Sequence, residues 1–113
     1  MSGSADGSAI ISEMLPPTTD TLLDDGAVPY FVWDTRETVG EIRRVLAGND
    51  QRHRDELILR LLREANTRDV WVFISWKDID EAWPRIAHRL GRARGLWDLM
   101  RRRRAHNLGE PPP

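Results

Sequence analysis

Hydrophobic positions recur at helical spacing from residue 39 onward. Val39, Ile42, Val45 and Leu46 share one face of a helix predicted over Val39–Ala47. Thr38 and Glu41 stand at the spacing of a capping box, in which hydroxyl and carboxylate satisfy the first free N–H groups of a helix. Gly48 is placed to end that helix in the left-handed conformation. Asn49 or Asp50 then caps a second helix, Gln51–Ala65, whose apolar stripe is Leu57, Ile58, Leu61, Leu62 and Ala65. Its other face mixes Arg52, Arg54, Asp55, Glu56, Arg60, Arg63 and Glu64, as a solvated surface does, so Asp55 and Glu56 are expected to be surface acids.

Asn66-Thr67-Arg68-Asp69 interrupts the pattern, and the apolar run Val70–Ile74 fits either a buried strand or a helical turn. Ser75 and Asp78 form a second capping-box start, followed by Trp76, Ile79 and Trp83 on one face. Pro84 lacks an N–H and should kink this helix or open a new one carrying Ile86, Ala87 and Leu90, which Gly91 stops. A last helix is predicted from Arg92 to His106 with Ala93, Leu96, Trp97 and Met100 turned inward. Upstream, Pro29–Asp34 is too short for a helix and is expected to be extended, laying Tyr30, Phe31 and Trp33 on the domain. Residues 1–28 are rich in Ser, Gly, Asp and Thr and are expected to be a mobile acidic leader; residues 107–113 end in three prolines and should fray. The expected fold is mainly α: a small bundle of about four short helices over residues 29–106, with a short extended aromatic segment and disordered tails.

Composition sharpens this picture. Four of the five tryptophans, Trp71, Trp76, Trp83 and Trp97, fall between Asp69 and Trp97, in a chain with two Phe and one Tyr. They supply most of the aromatic area for a core or an interface. At 113 residues there is room for one core. The net charge is −1, yet the first 28 residues hold five acids and no base, whereas Pro84–Pro113 holds eight arginines against Asp98 and Glu110, so the two ends should attract opposite partners. The absence of cysteine removes disulfides and thiolate metal sites and fits a reducing cytoplasm. No apolar run reaches the roughly 18 residues of a membrane helix, and no secretory signal pattern precedes Asp25.

Candidate chemistry is sparse. Asp78, Asp80 and Glu81 fall on different helix faces and are better explained as first-turn charges than as metal ligands. His53, His88 and His106 lie far apart, and none has a ligand-spaced neighbour. Gly91-Arg92-Ala93-Arg94-Gly95 lacks the third glycine of a phosphate loop. Neither a cofactor nor a catalytic activity is expected. Arg101–Arg104, added to Arg85, Arg89, Arg92 and Arg94, exceeds what helix-dipole stabilisation requires and suits phosphates or an acidic protein surface.

The segments PYFVWD, TVGEIRRVLAG and LLREANTRDVWVFISWKDIDEAWPRIAHRLGRARGLWDLM resemble a group of short bacterial proteins encoded beside nucleotidyltransferase toxins of the abortive-infection type. The shared features are the aromatic-Trp-Asp opening, the Leu-Arg-Glu-Ala helix, the Val-Trp-x-Phe run, the Trp-Pro step and the Leu-Gly-Arg-x-Arg turn. The resemblance implies an antitoxin that neutralises its partner by binding it. It spans residues 29–100; the longer leader and the terminal arginine run depart from the group's pattern. For such binding, Trp71, Phe73, Trp76, Trp83 and Trp97 offer aromatic area, and Arg92, Arg94, Arg101, Arg102, Arg103 and Arg104 offer charge. The competing expectation is that most of these indoles form the domain's own core. Two other classes stay open: a nucleic-acid-binding regulator using the basic C-terminal helix, and a homo-oligomeric accessory protein.

Overall fold

The computed structural model describes residues 17–32 and 34–107, so the first 16 residues, Trp33 and the tail from 108 lie outside the described residues. Five α-helices form: α1 (Val39–Ala47), α2 (Gln51–Glu64), α3 (Thr67–Phe73), α4 (Trp76–Ile86) and α5 (Ala93–Asn107). Short 3-10 turns lie at Asp20–Leu23, Tyr30–Val32 and Ala87–Arg89, and no strand occurs among the described residues. The mainly helical bundle expected from periodicity is therefore what forms. Its centre is α2, which packs against all four other helices and the Tyr30–Val32 turn. This position explains why Leu59 is buried together with Leu57, Ile58, Leu61 and Leu62, although it lies off the expected stripe. A helix covered from several sides hides more than one face.

Both capping boxes are present, at Thr38/Glu41 and at Ser75/Asp78, and Asp50 caps α2 by accepting from the His53 amide. Asn66 starts α3 in the same way, through the Arg68 amide. The run Val70–Ile74 thus resolves as helix, with Ile74 its extended cap residue. Gly91 has φ +58° and closes the segment before α5 as expected, whereas Gly48 is extended (φ −86°) and not left-handed. Of the two outcomes expected at Pro84, a new helix does not begin there. The proline sits inside α4, which ends two residues later and tightens into the 3-10 turn Ala87–Arg89.

The pattern predicts a mobile leader as far as Val28, but residues 17–28 form a strap across the domain. Leu22 is fully buried in the core. The strap carbonyls of Ala27 and Asp25 accept from the amides of Val39 (2.8 Å) and Gly40 (2.9 Å), satisfying two of the free N–H groups at the start of α1. The glycine at position 40 suits this close approach of backbone: a Cβ there would lie 3.2 Å from the Asp25 carbonyl oxygen, so the strap would have to give by a few tenths of an ångström.

The strap is fastened at its other end by Asp69, a carboxylate with no exposed surface in the first turn of α3. Its oxygens accept from the Thr18 amide (2.7 Å), the Thr18 hydroxyl (2.5 Å) and the Tyr30 phenol (2.6 Å). The phenol oxygen accepts in turn from the Asn66 amide at 2.6 Å. Tyr30 and Phe31 do lie on the domain as expected, but on a 3-10 turn and not on an extended segment. Their rings meet edge to face at 5.4 Å, and Phe31 meets Phe73 in the same way at 5.5 Å.

This node has a pH signature. Burial first, and the hydrogen bond to Asp69 second, push the Tyr30 phenol up from 10.0 to about 12. Because the folded value lies above the unfolded one, the neutral phenol contributes stability in full below pH 10.0, and that contribution is lost as pH rises through about 12. The chain has one tyrosine, so an ultraviolet titration reads it alone. A midpoint near 12 is expected in the native chain, falling in Asp69→Asn, where the phenolate faces an amide and not a carboxylate. A native midpoint at 10.0 would show that the node does not form.

Candidate partner-binding surface

Of the sequence-predicted aromatic residues, Trp71, Trp76, Trp83 and Trp97 lie where α3, α4 and α5 meet, whereas Phe73 packs against Phe31 and under Arg43. Trp71, Trp76 and Trp97 form a triangle with ring centroids 5.0 to 5.9 Å apart. Trp97 is only 2% exposed, and its Nε1–H donates to the Leu62 carbonyl at 2.9 Å. That carbonyl is one of the last four of α2, which have no partner within their own helix, so the indole serves as both core filler and C-terminal cap. Trp76 is also buried. These two rings are core, and the partner-facing role weighed for them is closed in this fold. Trp71, Phe73 and Trp83 are partly buried against the core and keep some accessible surface.

The arginine run divides by helical geometry. Arg101 and Arg104, three apart, turn toward α4: Arg101 Nε bonds Asp80 at 3.0 Å, and Arg104 approaches the same carboxylate at 3.5 Å. The Arg101 guanidinium lies 4.3 Å from the Trp83 ring centroid, and that of Arg104 lies 5.6 Å from Trp76. These two clamp α5 to α4. Arg102 and Arg103 point outward, and Arg102 is paired with Asp98 at 2.8 Å. Arg85 is held by Asp55 and Glu81, and Arg89 by Glu56, so five of the eight arginines of the expected basic region bind the chain's own acids. The guanidinium of Arg89 holds the Glu56 carboxyl below its ordinary value. Among the described residues, Arg92, Arg94 and Arg103 are exposed and have no acidic partner.

One expectation about α5 is corrected. Leu96, placed in the inward stripe, is 51% exposed, as is Leu99 at 48%. The inward face is instead formed by Ala93, Trp97, Met100, Arg101 and Arg104, the two arginines meeting Asp80 and the α4 indoles there. The outward face therefore carries a row of Leu96, Leu99 and Arg103, with Arg92 in the turn just before its start. Periodicity alone marks Leu96 and Leu99 as neighbours three apart, but not which side of the helix meets the core.

Elsewhere, Val32, Glu37, His53, Leu57, Arg60 and Arg63 border a wide depression on α2 of about 490 Å³, whose charges are of both signs. No helix among the described residues is long and apolar enough to cross a membrane. Neither a protein-family model, a curated protein nor a solved structure matches this chain.

Within the aromatic triangle two indoles behave oppositely. The Trp71 Nε1–H is buried without an acceptor, whereas that of Trp97 is paired. Trp97→Phe is expected to lower stability by about 2 to 3 kcal/mol, through lost volume and an uncapped carbonyl. Trp71→Phe removes an unsatisfied donor and should cost less than about 1 kcal/mol. Urea denaturation of both variants measures the difference, and equal losses would contradict these assignments.

Proposed function

We propose that this chain is a non-catalytic interaction module that acts in the cytoplasm as an antitoxin, binding a nucleotidyltransferase-type toxin and neutralising it. The observation that carries the binding part is the outward face of α5, where two leucines about half exposed sit between arginines that have no acid to pair with. Exposed aliphatic pairs on a firmly anchored helix are regions that association can desolvate with little reorganisation. The toxin as partner rests on the resemblance of residues 29–100 to antitoxin-like proteins.

A nucleic-acid regulator fits less well. Arg101 and Arg104 are spent on Asp80, leaving few outward cations in the C-terminal run, and phosphate contact would leave Leu96 and Leu99 in water. Co-expression with the product of the adjacent gene, followed by affinity capture and a growth assay, tests the reading. A stoichiometric complex and restored growth are expected. A chain purified without that product, with growth still arrested, would contradict it.

A further inference from the structure

We infer that the outward face of α5 is the docking surface itself, and that its occupant is an acidic amphipathic helical segment of a partner protein; this rests on the interaction-module reading above. Leu96, Leu99 and Arg103 run about 10 Å along the axis of α5, and with Arg92 in the turn just before the helix the row places aliphatic surface at the centre and positive charge at both ends. Gly95 borders the row with nothing within 4 Å of where its Cβ would be, so the surface beside Leu96 and Leu99 is open to the approach of a second helix. Met100, partly buried behind the row, continues the apolar floor toward the core.

Charge selects among occupants. A second copy presenting the same face is opposed in either direction. Parallel pairing sets Arg92 on Arg92 and Arg103 on Arg103, while antiparallel pairing sets Arg92 on Arg103, and like charges across an interface select against the pairing. A helix with aliphatic residues in the middle and Asp or Glu at each end satisfies both parts of the row. A polyphosphate strand satisfies the ends only and leaves the leucines exposed. Since the row reads alike in both directions, it fixes the chemistry of the occupant and not its polarity.

The flanking positions match this division of roles. Arg102 is tied to Asp98, and Arg101 and Arg104 are tied to Asp80, so in the C-terminal run Arg103, in line with the leucines, is the arginine left for a partner, while Arg92 and Arg94 are left at the start of the helix. Substitution along the row touches no core contact, because Leu96 and Leu99 lie outside the buried cluster. The row can therefore be altered while the fold is kept.

The test uses the full chain and a fluorescein-labelled, capped helical peptide of about 15 residues, with leucines at i, i+3 and i+7 and glutamates at both ends of that stripe. A peptide of the same design with lysines for glutamates, and a labelled DNA duplex, are the comparison probes. Fluorescence anisotropy should show saturable binding of the acidic peptide, weakened about tenfold or more by Leu96→Ser with Leu99→Ser. Arg92→Gln with Arg103→Gln should weaken it severalfold and flatten its salt dependence. Circular dichroism and melting temperature should be unchanged in both double variants. No saturable binding of the acidic peptide, or equal binding of the lysine peptide, overturns the inference even if co-expression captures the toxin. Duplex binding that responds to the arginine but not the leucine variant overturns it in favour of nucleic acid. Concentration-dependent self-association in sedimentation that the leucine variant abolishes overturns it in favour of a second copy. Failure of co-expression capture, with peptide binding intact, instead removes the toxin reading and leaves the docking surface standing.

Discussion

The placement of Trp97 decides more of this molecule than any other single contact. Its indole fills the junction of α3, α4 and α5, and its N–H completes the end of α2 through the Leu62 carbonyl. Burying so large a ring with its donor satisfied fixes the rotation of α5 about its own axis. Once that rotation is set, Arg101 and Arg104 must face Asp80 and the α4 indoles, and Leu96 and Leu99 must face away. The interior and the outward row are two sides of one constraint.

A second constraint acts at the opposite end of the chain. Asp69 is a fully buried carboxylate with three hydrogen-bond donors aimed at it and no cation among them. Leaving a donor out would cost a hydrogen bond to a buried carboxyl oxygen that water does not reach, more than the loss of an exposed one. The strap and the Tyr30 turn are therefore coupled to α3, while the strap carbonyls serve the start of α1. The domain begins earlier in the chain than its composition suggests.

What could be read from sequence follows the range of the interactions involved. The capping boxes at Thr38 and Ser75, the stripe of α2 and the stop at Gly91 depend on neighbours within one or two turns, and all were legible. The strap was not, because it is held by Leu22 and by a contact between Thr18 and Asp69, 51 positions apart. Nor was the helical nature of Val70–Ile74, since continuous apolar runs carry no period and the Asn66 cap looks like a break. On α5, four consecutive arginines read as one basic patch, yet a helix must distribute them around its circumference. Which pair turned inward depended on Asp80, contributed by another helix. The division of the aromatic residues into enclosed Trp76 and Trp97 and half-accessible Trp71, Phe73 and Trp83 is a matter of tertiary packing that the sequence pattern does not carry.

The rotation of α5 is open to direct measurement because the chain contains no cysteine. Single cysteines placed in turn at positions 92 to 104, each challenged with a thiol reagent in native buffer, report the accessible side of the helix. Fast modification is expected at positions 95, 96, 99 and 103, and protection at 97, 100, 101 and 104. Protection at 96 and 99, or reactivity without helical period, would contradict the account from its foundation.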